Sequence, residues 1–389
     1  MVGNMRPIFR REAKMQDEFF VIDGVAHTFD MSEANMASPE YADALRRLQA
    51  SFFAGQPAGY DLDAEATLRD WTVEETADIL FRESHTDVAV FHPVPIFFFK
   101  DGYSSVDKAV AATRRWPNRF IGSYIAIDPL RPDPLGEMER QVELLDNPVG
   151  LKLYPVSYHE GDVTPWRMDD PTIGFPLYEK ARELGLTCVA THKSLPMGPS
   201  PSGGDAFSPI DVEGAAAAFP DLNFSIVHGG LSFVEETAWL LARFPNIWVN
   251  LETMNLVLTM RPSVFGELLA GLLGVAGEDA LNRIYWASGA MNSHPRPGLE
   301  AFVDFQFTEE QMARHGIFFP VPQLTREHKK AILSGNIARL HGWDVDALAA
   351  GIKGDEFDLA QGAPLPIPYS TTPLKDAVTT PLPEGTCVA

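Results

Sequence analysis

"PLYEKARELGLTCVATH", residues 176–192, decides how this chain folds. The first ten residues read as a helix that stops at Gly185, the residue type that closes helices in a left-handed cap. The last seven, "LTCVATH", form an apolar run that ends on His192. A helix leading straight into a buried strand is the joint of an α/β repeat.

Working outward, seven more runs of this kind appear: "FFVID" (19–23), "DVAVFHP" (87–93), "RFIGSYIAID" (119–128), "VGLKLYP" (149–155), "NFSIVHG" (223–229), "NIWVNLE" (246–252) and "RIYWASG" (283–289). The segments between them mostly read as helices. "TVEETADILFRES" opens on Thr72 with Glu75 three residues later, the capping-box spacing. "FVEETAWLLARFP" keeps its apolar residues on one face and stops at Pro245. Eight strands that are apolar throughout, and not alternating, predict an α/β fold of the closed parallel (β/α)8 TIM-barrel type with its helices outside. An open doubly wound sheet would carry a glycine-rich phosphate loop after its first strand, and "IDGVAHTFD" (22–30) is not one.

Composition agrees with one large α/β unit. Of 389 residues, 45% are hydrophobic and 22% charged, enough apolar material for a sizeable core. The net charge of −22 would repel phosphate backbones and anionic lipid, so neither nucleic acid nor a membrane is an expected partner. The first twenty residues are charged throughout and do not read as a secretory peptide. Two cysteines, Cys188 and Cys387, exclude a disulfide framework and suit a reducing cytoplasm. The expected organisation is an N-terminal arm (1–18), the barrel (19–345) and a proline-rich tail (346–389) with six prolines between 364 and 383. That tail is expected to lie on its own barrel or on a neighbouring subunit, which would make a homodimer.

Barrel chemistry sits at the C-terminal ends of strands. Here those ends carry Asp23 with His27, then His92, Asp128, Lys152, His192, His228, Glu252 and Ser288-Gly289. Long loops of roughly 31–73, 155–172 and 194–211 follow such ends and would shape the catalytic face. His27, His192 and His228 could converge, and three histidines are the protein ligands of a common type of catalytic zinc site. A satisfied core histidine is the bland alternative for each. Lys152 could neutralise a substrate carboxylate or pair with a strand-end acid. Asp30, three residues after His27, could orient that ring or cap the next segment.

Together these segments resemble the metal-dependent amidohydrolase superfamily, in the branch of aminocarboxymuconate-semialdehyde and γ-resorcylate decarboxylases. The resemblance runs from about residue 20 to 345 and rests on "FIGSYIAIDP", "GLKLYP", "PLYEKARELGLTCVATH", "FPDLNFSIVHGG", "RIYWASG" and "KAILSGNIARLHG" in that order. It implies a barrel holding one divalent ion, usually zinc. His27 falls on the second histidine of the first-strand pair, His192 on the fifth-strand ligand and His228 on the sixth-strand histidine. Two positions depart from that pattern: Val25 stands where the pair's first histidine belongs, and Gly289 where the metal-binding aspartate belongs. Neither can coordinate.

The expectation is therefore an amidohydrolase-type enzyme with a rearranged divalent-metal site, acting on a small carboxylated or aromatic metabolite by hydrolysis or non-oxidative decarboxylation. His27, His192 and His228 are the expected metal ligands. His228, Lys152 and Asp30 are the expected catalytic residues, with His92, His294 and Arg296 contacting substrate. A metal-free acid–base pocket and a catalytically silent barrel serving as a binding or assembly partner remain the alternatives.

Overall fold

The computed structural model describes residues 18–196, 203–359 and 363–381, so the expected N-terminal arm lies almost wholly outside the described residues. Eight parallel strands pair in chain order: β1 Ile22–Ala26, β2 Val88–Phe91, β3 Phe120–Ile127, β4 Pro148–Leu153, β5 Cys188–Thr191, β6 Asn223–Ile226, β7 Ile247–Asn250 and β8 Ile284–Tyr285. The ring closes where β8 returns to β1. Gly24 N–H donates to the Trp286 carbonyl at 3.0 Å, Gly289 N–H donates to Val25 at 2.9 Å, and Ala26 bridges Ala290 in parallel. The barrel expected from the sequence is the fold.

Every residue of β1, β2, β3, β5 and β7 is buried, which is why those runs carry no polar alternation. Ile22, Val90, Tyr124, Cys188, Ala190 and Tyr285 fill the barrel interior. Below them Ile337 and Leu340, on the helix Asn336–His341, plug the N-terminal end. Burying each such side chain contributes roughly 1.5–3 kcal/mol. Asn336 fixes the plug by donating to the Leu281 and Ile284 carbonyls at 2.7 and 2.6 Å.

Two local readings shift. The first strand runs Ile22–Ala26, so Asp23 lies inside it and does not end it. The helix opened by the Thr72–Glu75 capping box is α-helical only over Val73–Ala77 and widens to a π-helix over Asp78–Arg82. The three long loops carry structure of their own. The first contains the helix Pro39–Ala54, the second a hairpin of Val156–His159 with Asp162–Pro165, and the third the short helix Gly203–Phe207.

The tail lies on its own barrel. Tyr369 N–H and Thr371 N–H donate to the two oxygens of the buried Glu83 at 2.6 and 2.7 Å, and Val378 bridges Leu62. No helix among the described residues is long and apolar enough to cross a membrane.

Asp23 stitches the closing seam. One of its oxygens accepts from Ser288 N–H at 2.9 Å and from Val25 N–H at 3.2 Å, while the other accepts from the Ser288 hydroxyl. Removing it in Asp23→Ala strands buried donors and should cost about 2–4 kcal/mol in urea unfolding. Burial pushes this carboxyl up to about 6 against those hydrogen bonds. The folded chain then keeps a proton that the unfolded chain releases near pH 4. Stability from Asp23 is full below that pH and is lost as pH rises through about 6. Relative to Asp23→Asn, the wild type should therefore lose up to ~3 kcal/mol between pH 4 and 7.

Candidate active site

Four strand ends deliver the chemistry to one pocket at the C-terminal mouth. His27 follows β1, His192 follows β5, His228 lies two residues beyond β6, and Glu252 lies two beyond β7. Each is at most 3% exposed. The helix Pro39–Ala54 covers the pocket with Leu45, Leu48, Gln49 and Phe52, and Gln49 is anchored by a 3.0 Å bond to the Met291 carbonyl. Phe29, Tyr103 and Tyr154 complete an aromatic wall.

The backbone turns sharply to present these groups. His228 has φ 72° and Thr253 has φ 63°, left-handed values that non-glycine residues adopt at a cost of order 1–3 kcal/mol. Gly229 follows His228 at φ 61°, where a Cβ would meet Met254 Cγ at 2.6 Å, so the turn has room for glycine only.

One hydrogen-bonded chain fixes two rings. His192 Nε2 lies 3.2 Å from the Leu195 carbonyl, which can only accept, so the proton is on Nε2 and His192 Nδ1 is the acceptor. His228 Nε2 then donates to His192 Nδ1 across 3.0 Å. His228 Nδ1 in turn accepts from the Thr253 hydroxyl at 3.0 Å. Burial, reinforced for His192 by the neighbouring His228, holds His192 well below the usual histidine range, and burial brings His228 down to about 4. Both rings are neutral at pH 7.

A second pair stands opposite. His27 Nδ1 donates to the His92 carbonyl at 2.6 Å, leaving Nε2 facing Glu252 Oε1 at 3.4 Å. The other Glu252 oxygen is buried without a hydrogen-bond partner among the described residues, and so is Lys152 Nζ. Burial works against the Glu252 carboxylate, but His228, His27 and Lys152 outweigh it and keep the group ionised. Burial also lowers Lys152 to about 8, with Glu252 resisting the shift. The ammonium and the carboxylate are thus the charges of the site, set beside the neutral rings of His192 and His228.

Several expected contacts fall elsewhere. Asp30 does not orient His27: its carboxylate accepts from Ser32 N–H at 3.0 Å, and the His92 carbonyl does the orienting. His92 acts through that carbonyl, while its ring stacks on Tyr124 at 4.0 Å, away from the pocket lining. Neither His294 nor Arg296 lines the pocket. His294 caps the helix Pro295–Asp304 and faces Glu83 at 3.4 Å, and Arg296 reaches Glu300 and the tail carbonyl of Pro366. Both residues therefore hold the tail. Glu252 was visible as a strand-end acid but had no sequence partner to mark it. Thr253 and the Leu195 carbonyl gave no signal at all.

The donor chemistry suits the divalent ion that the resemblance implies. Each of His27, His192 and His228 has one ring nitrogen tied to a carbonyl or hydroxyl, the outer hydrogen bond that typically orients a histidine ligand. The remaining nitrogens of His192 and His228 are 3.0 Å apart, close to the separation of two neighbouring ligands each about 2.1 Å from one ion. As placed, the donors form two pairs, and no three His, Cys, Asp or Glu side chains among the described residues close on one point.

Comparison with known proteins adds a family and a fold. The family model described as amidohydrolase matches residues 75–343. No curated protein sequence matches at a significant level. Among solved structures, a TIM-barrel protein from Bordetella bronchiseptica superposes with a TM-score of 0.55 at 18% identity, covering 85% of this chain and 100% of its own. A 5-carboxyvanillate decarboxylase from Sphingomonas paucimobilis gives 0.50 at 16% identity, with 84% and 100% covered. A dihydroxybenzoic acid decarboxylase from a Polaromonas species, with bound manganese and the inhibitor 2-nitroresorcinol, gives 0.50 at 15% identity, with 83% and 97% covered. At such identities the likeness speaks to the fold.

The tautomers are testable. Histidine-selective nitrogen NMR of metal-stripped protein should show His192 and His228 neutral at pH 7 with the proton on Nε2. His228 should stay neutral down to about pH 5, since its ring titrates near 4. Thr253→Val, which removes the hydroxyl donor, should release the His228 tautomer. A charged ring at either position in the wild type would contradict the chain of bonds.

Proposed function

This chain belongs to the amidohydrolase family, and from that premise we propose an enzyme that cleaves a small carboxylated aromatic metabolite, by non-oxidative decarboxylation or by hydrolysis, at a rearranged divalent-metal centre. What supports the reading is that His27, His192 and His228 line one buried pocket walled by aromatic rings. Zinc is the first ion to test, since neutral imidazoles suit it.

In this reading His27 Nε2, His192 Nδ1 and His228 Nε2 would hold the ion, the His228 proton passing to Nδ1, where it is donated to the Thr253 hydroxyl. The bonds to the His92 and Leu195 carbonyls and to the Thr253 hydroxyl keep their rings in place. When bound, the ion would supply Lewis-acid polarisation of a substrate oxygen. Phe29, Phe52, Tyr103 and Tyr154 take the ring of the substrate and exclude water. Lys152 lies behind the pocket lining, its Nζ 5.4 Å from the Tyr154 ring, and favours a substrate anion through its charge. Arg296, tied to Glu300 and the tail, takes no part in charge neutralisation. The working unit is taken to be a cytoplasmic homodimer that engages small molecules only.

One observation favours a second reading. The His192–His228 bond and the Lys152–Glu252 charge pair satisfy the pocket's charge balance without an ion, so the same groups could act as a metal-free acid–base set.

Metal analysis of purified protein together with a carbon dioxide release assay on hydroxylated benzoates decides between these. The proposal expects about one divalent ion per chain, its loss in His192→Ala, and turnover that falls at least ~100-fold in that variant. Turnover with no ion selects the metal-free pocket. Neither ion nor turnover, across hydrolytic substrates as well, would leave a silent barrel.

A further inference from the structure

The pocket is shut. Its cavity measures about 30 Å³, whereas sites that take a small organic molecule run to roughly 300–1,000 Å³. The helix Pro39–Ala54 closes it, lining that space with Leu45, Leu48, Gln49 and Phe52. The histidines on the other side stand on strands paired on both edges within the barrel, so the helix is the part able to move. It is held in three places. At its start, Ala37 N–H and Ser38 N–H donate to the Phe98 carbonyl at 2.7 and 3.0 Å. In its middle, Gln49 Nε2 donates to the Met291 carbonyl at 3.0 Å. Just beyond its end, residues 59–63 pair with the C-terminal tail. Gly59 N–H donates to the Thr380 carbonyl at 2.6 Å, Asp63 N–H to Ala377 at 3.1 Å and Thr379 N–H to Asp61 at 3.3 Å. Leu62 bridges Val378, and the Thr379 hydroxyl donates to the Asp61 carboxylate.

We infer that the helix Pro39–Ala54 is the lid of the pocket and that tail residues 377–380 are its strap, setting how readily substrate enters. The inference rests on the proposed enzyme and adds the control of access to its site. The first two holds tie the lid to the barrel, while the third ties it to a segment 318 residues further along, counted from Asp61 to Thr379. Thr379 and Thr380 are exposed, and hydrogen bonds open to solvent part more readily than those of a buried sheet. When they part, residues 59–63 lose their pairing and the lid keeps only its holds at Phe98 and Met291 from this set. The pocket then opens beside Phe52, the lining residue nearest the strap along the chain. Residues 377–380 touch no reacting group; they act by positioning the lid.

The test is amide hydrogen exchange by mass spectrometry on the full chain, with the association rate of 2-hydroxybenzoate measured alongside. Thr379→Pro removes both donors to Asp61, and Val378 already has the extended backbone (φ −67°, ψ 121°) that a following proline requires. A helix of 16 residues freed from its packing is marginal in water, so its amides report release of the lid. Thr379→Pro should speed exchange at least ~tenfold over residues 55–63 and 39–54, as expected when two hydrogen bonds are lost, and leave β5 to β7 as protected as before. Association of 2-hydroxybenzoate should quicken by a similar factor. Thr379→Val, which loses the hydroxyl alone, should show the same pattern at about threefold.

Faster exchange at 55–63 with no change over 39–54 overturns the strap and leaves the proposed enzyme standing. If Thr379→Pro loosens β5 to β7 as well, Thr379→Val decides by the same criterion. The expected exchange pattern with no association of 2-hydroxybenzoate in any form upholds the strap and counts against the proposed substrate class.

Discussion

A parallel sheet rolled into a barrel has no edges, so its first strand must find its last. That requirement governs this molecule. Asp23 on β1 gathers the backbone and hydroxyl of Ser288, and Ala26 bridges Ala290 just above. The seam brings His27 and the Gly289–Asn292 turn to the same rim, beside Glu252 from β7. If β8 did not close on β1, His27 would face solvent, Glu252 would lose two neighbours, and the pocket would have no wall on that side. Closure costs the burial of a carboxylate, which the Ser288 donors offset in part.

The pocket concentrates titratable groups in a place where water cannot screen them. A low local dielectric strengthens each pair and makes each orphan costly. The imidazoles respond by staying neutral and sharing protons along a fixed line from Thr253 to Leu195. Glu252 stays ionised because Lys152 and the surrounding rings stabilise its charge. Strained backbone at His228 and Thr253 persists because these side chains are bonded to each other, so the cost of one turn secures the other. Sites that store strain in this way are organised for binding or chemistry and not for stability alone.

How much of this the sequence disclosed depends on the range of the interaction. Strand identity was readable because burial on both faces leaves an unbroken apolar run, and strand ends marked the rim whose pocket His27, His192 and His228 line. The start of β1 was misjudged by three residues, since the pairing that sets it comes from β2 and from residues near 290, beyond any local pattern. His294 and Arg296 were assigned to substrate because they follow the last strand closely. They turn away because the tail, some seventy residues later, offers Arg296 the Pro366 carbonyl and packs Tyr369 against the His294 ring at 5.1 Å. Asp30 lost its expected role to the main-chain carbonyl of His92, an acceptor that no residue pattern reveals. The same holds for Leu195. Glu252 was a strand-end acid in the sequence, but its place beside His27 exists only in three dimensions.

The tail's grip on Glu83 also bears on how the protein is made. This buried carboxylate lies just past the π-helix Asp78–Arg82, yet the amides that satisfy it belong to Tyr369 and Thr371, 286 and 288 residues later. A ribosome exposes residue 83 long before residue 371 is polymerised, so the growing barrel must carry a desolvated anion, or leave that corner open, until residues 369–371 emerge. A segment synthesised after all eight strands thus works as a latch on the region before β2. A message cut short, or a protease nick past residue 359, would leave all eight strands present and the corner beside β2 unsealed.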